Sequence, residues 1–134
     1  MSLERVIEAL RSLPSVRLAV AFGSAARGED HARSDLDLGL LLEPDSLERR
    51  REAEVTAGRA ARRRVDIVYL GEAPPLLRFE IARDGRVLLE RQPRLWTAFK
   101  ARAMIDWWDW GPTARKMHTA YLQRLREQVA SGQP

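Results

Sequence analysis

The chain reads as an α/β (α+β) fold: about four strands interleaved with helices, followed by C-terminal helices. Three observations predict this. Short apolar runs of strand length (Val16–Phe22, Leu36 to Leu42, Val65 to Leu70, Arg86–Glu90) alternate with stretches of helical spacing. Two of those runs, Leu36 to Leu42 and Val65 to Leu70, begin beside carboxylates, and the run before them ends in a Gly-Ser turn. From Pro93 onward the apolar spacing is helical to the end.

Leu3, Val6, Ile7, Leu10 and Leu13 recur at helical spacing from Ser2 to Leu13, with Ser2 placed to cap and Pro14 to stop the helix. The first strand breaks at Gly23. Ala25-Ala26-Arg27 then favour a short helix from Ser24, closed by Gly28. Asp45 and Glu48 form a capping-box signature for a helix from about Ser46 to Arg62. Its apolar face is thin (Leu47, Val55, Ala57, Ala61), so much of it should be exposed. Pro74-Pro75 opens a helix from Leu76 to Arg83, which Asp84-Gly85 closes. Gly111-Pro112 should divide the C-terminal helical region in two. Trp96, Phe99, Ala103, Trp107 and Trp110 stripe its first part, and Ala114, Met117, Tyr121, Leu125 and Val129 its second. Neighbouring helical positions lie about 100° apart, so Trp107 and Trp108 cannot both centre one narrow buried stripe. Trp107 continues the line from Trp96 and is assigned to the core; Trp108 is assigned to a partner-facing side.

Length bounds the chain at one domain, residues 1–134, with a core over 1–92 and C-terminal helices over 93–130. Hydrophobic content of 45% and charged content of 31% are those of an ordinary globular chain. No apolar run is long enough to span a membrane, and the N-terminus lacks a signal-peptide pattern. With no Cys, disulfides and thiolate metal sites are excluded, and a cytoplasmic location is expected. The net charge of +4 comes from an Arg-rich surface well mixed with acids. The Arg49–Arg51 and Arg62–Arg64 clusters read most simply as solvated faces, and His31 and His118 as surface or loop residues.

The chemistry is expected between Gly23 and Asp37, with Asp66. On a strand, Asp35 and Asp37 share one face while Leu36, Leu38, Leu40 and Leu42 share the other. Paired carboxylates at a strand mouth repel unless a cation lies between them. A hard divalent cation such as Mg²⁺ takes one or two carboxylates together with substrate phosphates. The spacing of Gly23 and Gly28 fits a Walker loop, but Glu29-Asp30 stand where Lys and Ser/Thr belong. A Rossmann glycine pattern is also missing.

Gly23-Ser24, then Ser34-Asp35-Leu36-Asp37-Leu38, then Asp66 on a later strand resemble the nucleotidyltransferase superfamily of DNA polymerase β type. The short form with Gly-Ser-x-Ala-Arg-Gly looks like the minimal nucleotidyltransferases. Ala73–Ile81, Asp84–Arg91 and Phe99–Met104 are similar to the MntA-type adenylyltransferase antitoxins, a likeness spanning roughly residues 16–125. The resemblance implies the nucleotidyltransferase fold, a mixed twisted sheet flanked by helices. It implies that Asp35 and Asp37 hold one Mg²⁺ on the triphosphate of ATP and share a second, completed by Asp66 at the attacking hydroxyl. Gly23 and Ser24 would fix the β- and γ-phosphates, helped by the N-terminus of the short helix. Arg27 would neutralise the leaving pyrophosphate. The implied partner is a HEPN-type ribonuclease toxin, adenylylated on a tyrosine in a hetero-oligomer, with neither membrane nor nucleic acid as direct substrate. Two other readings stay open: nucleotide transfer to a small molecule of aminoglycoside type, and an inert antitoxin that acts by covering its partner.

Overall fold

A computed structural model describes residues 2–23 and 35–130. Its elements run α1 (Ser2–Arg11), β1 (Val16–Phe22), β2 (Leu36–Leu42), α2 (Leu47–Ala61), β3 (Val65–Tyr69), α3 (Pro75–Asp84), β4 (Arg86–Glu90) and α4 (Leu95–Ala130). The strands form one mixed sheet in the order β3-β2-β1-β4. The β1 strand runs antiparallel to β2 and β4, whereas β2 and β3 are parallel. The short helix expected at Ser24–Gly28, with Ser24, Arg27 and His31, lies outside the described residues. So do the side chains of Trp110, Ala114, Met117 and His118.

The two central strands are covered on both sides, which is why β2 reads as an almost unbroken apolar run. Val16, Ala19 and Ala21 of β1 join Leu36, Leu38, Leu40 and Leu42 of β2 under α1 and α2. On the opposite face, Leu18 and Val20 meet Leu70 and Ile81, with Trp96 and Phe99 packed against them. Thus α1 and α2 close one layer, and α3 with the first turns of α4 close the other. At Gly39 a Cβ would fall 2.6 Å from Leu70 Cδ2, so this strand position must lack a side chain for Leu70 to seat.

Four local expectations change. The cap of α2 is Ser46, whose hydroxyl accepts from the Arg49 amide at 3.2 Å. Asp45 is instead occupied by the Arg50 guanidinium, at 2.7 and 2.9 Å, which holds its carboxyl below the usual range. Arg50 is therefore not merely solvated. It also pairs with Glu72 and lies 4.1 Å above the Tyr69 ring. The buried stripe of α2 is Ala53, Ala57 and Ala61, whereas Leu47 and Val55 face outward. Small side chains let α2 sit close to α1 and the sheet, and the larger residues have no room there.

The fourth change is at Pro112, which lies inside one continuous 36-residue helix. Proline deletes a single backbone hydrogen bond and crowds the preceding turn, a local penalty of about 3 kcal/mol. Gly111 and Thr113 beside it are weak helix formers too, yet the helix runs through. Where described, side chains after Pro112 are exposed, including Tyr121, Leu125 and Val129. No described helix is long and apolar enough to cross a membrane.

Helix α4 is fastened at its start. Glu90 accepts from the Trp96 amide at 2.8 Å, answering a free N–H of the first turn. Arg78 on α3 binds Asp106 at 2.6 Å, both largely buried, and Phe79 stacks on Trp107 with centroids 4.7 Å apart. Trp107 is half-buried, and Trp108 is 77% exposed. Replacing Trp107 with Ala should lower stability by about 3 kcal/mol. The same change at Trp108 should stay within about 0.5 kcal/mol. Denaturant midpoints of the two variants decide the matter.

Arg91 ties α1 to the sheet. Its guanidinium donates to the carbonyls of Leu10, Arg11, Leu13 and Val16, at 3.3, 2.6, 2.9 and 2.8 Å. These include carbonyls that α1 leaves open at its C-terminus, where positive charge is favoured. Arg91→Met should lower the unfolding free energy by about 2–4 kcal/mol, measured by urea denaturation; an unchanged midpoint would refute the capping role.

Candidate functional site

The site begins where three strands end together. Antiparallel register sets Phe22 of β1 opposite Asp37 of β2, and parallel register sets Asp37 opposite Asp66 of β3. Asp35 immediately precedes β2, on the same face as Asp37. The sheet thus delivers all three aspartates to one edge, as the sequence pattern anticipates. Gly23 lies against them. Its φ is +70°, and a Cβ there would fall 2.5 Å from Asp37 Oδ2. Glycine is required twice over, for the left-handed backbone and for the close approach.

Crowded carboxylates show in the electrostatics. Burial pushes the Asp37 carboxyl up, and the charges of Asp66 and Asp35 push it further. The Arg64 guanidinium stands by the other two aspartates. Its Nε donates to Asp66 Oδ1 at 3.1 Å and lies 3.9 Å from Asp35 Oδ2. The Arg64 carbonyl accepts from the Leu36 amide at 2.9 Å, which pins the arginine opposite the start of β2.

A cleft of about 380 Å³ opens beside Asp37, lined by Phe22, Gly23, Leu77, Glu80, Arg83 and Asp84. Its far wall is α3, so the sheet edge and the helix together enclose it. The volume lies at the lower end for small-molecule sites. Sequence reasoning did not find this wall, because α3 reads only as a sheet-packing helix. It also assigned Arg64 to a solvated cluster. One signal was available: Arg64 and Asp66 are two residues apart on a strand and so share a face.

Among the described residues, no group of three or more carboxylate or imidazole side chains is gathered so as to hold a metal ion unaided. The aspartates nonetheless fit a hard divalent cation. They offer oxygen donors, their mutual repulsion calls for positive charge, and a guanidinium already stands between two of them. Such a cation completes its shell with waters and substrate phosphates rather than with an all-protein cage. Gly23 and Asp37 are thus brought together with Asp66 and Asp35, whereas Ser24 and Arg27 lie outside the described residues.

Residues 4–94 match the polymerase beta nucleotidyltransferase family, and the chain belongs to it. No curated protein matches the sequence. Among solved structures, one chain of a toxin–antitoxin crystallised with AMP-PNP is 22% identical, with a TM-score of 0.65. That match covers 97% of this chain and 99% of the other. A chain of the MntA–HepT toxin–antitoxin is 20% identical over 96% of this chain and 97% of its own, with a TM-score of 0.58. A third belongs to a tri-AMPylated Shewanella oneidensis HEPN toxin in complex with MNT antitoxin. It is 20% identical with a TM-score of 0.59, covering 96% of both chains. At these identities the likeness establishes a shared fold.

Two outcomes are expected from the site alone. Because the folded-state pKa of Asp37 is raised, its contribution to stability falls as pH rises from the unfolded value through the folded one, and the full cost persists above it. Asp37→Asn should therefore raise the melting temperature at pH 7 in EDTA. Below about pH 3.8, where aspartate is protonated even in the unfolded chain, the gain should vanish. Gly23→Ala should lower stability by about 1–2 kcal/mol, from the backbone strain and the displaced carboxylate. Melting curves across pH test both.

Proposed function

We propose that this chain is a Mg²⁺-dependent nucleotidyltransferase that moves AMP from ATP to a tyrosine on a HEPN-type partner protein, acting as its antitoxin in the cytoplasm. The observation that carries the chemistry is the register pair of Asp37 and Asp66, with Asp35 beside them and Gly23 against Asp37 at the mouth of a cleft. Family membership supports nucleotide transfer. Two of the neighbours of shared fold support the nucleotide and the acceptor, one solved with AMP-PNP and one with an AMPylated HEPN toxin.

In this reading Asp35 and Asp37 would hold the cation that accompanies the triphosphate, and Asp66 faces the acceptor. Such a cation would supply positive charge to neutralise the triphosphate and the charge that develops in the transfer. Gly23 leaves room for the nucleotide to approach the carboxylates, and Ser24 and Arg27 serve the outer phosphates. The acceptor oxygen forms a bond to the α-phosphorus as its proton passes to Asp66. The bond from the α-phosphorus to the bridging oxygen breaks, and pyrophosphate departs with the electron pair. Most of the acceleration comes from holding these groups in line and from the prearranged field.

Asp35→Asn and Asp37→Asn should each abolish ATP-dependent labelling of the partner while leaving the fold intact. Near-normal labelling by either variant, read with radiolabelled ATP, would falsify the proposal. Asp66→Asn should keep Mg²⁺-dependent ATP binding by calorimetry but lose turnover. Equal loss of binding in all three variants would contradict the separate roles.

A further inference from the structure

We infer that Arg64 is a tethered counter-ion that occupies the acidic edge in the absence of metal and makes tight metal binding conditional on nucleotide. The inference rests on the proposed metal-dependent reading of this edge. Its guanidinium donates to Asp66 Oδ1 at 3.1 Å and lies 3.9 Å from Asp35 Oδ2, beside oxygens that a divalent cation would also need. Guanidinium stays charged at any working pH, so it leaves only by swinging away, not by losing a proton. The side chain is 74% exposed, and salt bridges that exposed are weak, so the swing is inexpensive.

The backbone, by contrast, is fixed. The Arg64 carbonyl is held by Leu36, and the Arg62 residue before it caps α2 with a φ of 56°. The guanidinium therefore pivots from an anchored point beside the carboxylates. Metal arriving alone must displace it and also meets its repulsion. Metal arriving with a triphosphate offers the displaced guanidinium an anion to pair with, in the two-pronged geometry arginine favours for phosphate. Metal and nucleotide should then strengthen one another's binding, by the same factor in each direction.

Removing the guanidinium separates the two effects. By titration of the free Mn²⁺ signal in electron paramagnetic resonance, Arg64→Gln should bind Mn²⁺ alone about three- to fivefold more tightly than the native chain. The factor by which a non-hydrolysable ATP analogue tightens Mn²⁺ binding should shrink in the variant. Arg62→Gln removes a nearby charge of the same kind and should change Mn²⁺ affinity less than twofold. Unchanged or weaker Mn²⁺ binding by Arg64→Gln, or an equal gain in Arg62→Gln, overturns the inference. If Mn²⁺ binding with the analogue is still lost in Asp37→Asn, that result leaves the metal-dependent reading standing. Mn²⁺ binding that is indifferent to Asp37→Asn overturns both.

Discussion

Everything at the acidic edge depends on the register of β2 against its two neighbours. Side chains alternate along a strand, so a slip of one residue would send Leu36, Leu38, Leu40 and Leu42 away from the core shared with α1 and α2. The same slip would turn Asp37 away from Asp66. Apolar burial therefore holds the aspartates together against their own repulsion. The raised Asp37 carboxyl marks the residual strain of that arrangement. A polar edge that the sheet would not choose for stability is tolerated because the apolar face of the same strand admits no other pairing.

That dependence explains what was legible in the sequence. The strands β1, β2 and β4 appear with the bounds that the apolar runs suggest, since burial on both faces leaves a strong local signal. The three aspartates and Gly23 were legible as residues, Asp35 and Asp37 by strand alternation, Asp66 at the start of a later strand and Gly23 where the first strand breaks. Other features arise from pairing between distant segments. Arg64 belongs to the site only because β3 lies parallel to β2 with Val65 opposite Leu36. The cleft exists only because α3 packs across the end of the sheet. On α2, residue size misled: Leu47 and Val55 look like core, but the close approach to α1 admits only alanine. Pro112 misled in another way, since a missing hydrogen bond is a local penalty and not an obligatory stop.

Helix α3 has two neighbours, and this links the cleft to the outer surface. Leu77, Glu80, Arg83 and Asp84 line the cleft, while Arg78 and Phe79 of the same helix grip Asp106 and Trp107 on α4. The grip is unlike the ordinary apolar contact elsewhere in the fold. Arg78 and Asp106 are each less than one fifth exposed, and Arg102 Nε lies 3.2 Å from the other Asp106 oxygen, so the carboxylate is held from two sides. Such a pair resists sliding, and the stacked rings beside it resist rotation. The position of the cleft wall is consequently tied to that of α4 near its middle.

On α4 itself, the residues next to that grip point two ways. Trp107 turns inward onto Phe79, and Trp108 turns outward, 77% exposed, near Met104 and Ile105, which are also uncovered. An apolar surface of this kind is unfavourable in water unless something covers it. In the proposed role the acceptor is itself a protein, and it must reach the cleft beside Asp37. The exposed Trp108 and the cleft wall are both carried by the α3–α4 pair, joined through Arg78–Asp106 and Phe79–Trp107. Contact at Trp108 would bear on the helix whose Trp107 stacks on Phe79 of the cleft-wall helix. Recognition of the partner and placement of its acceptor group would thus share one rigid element, with no loop needed between them.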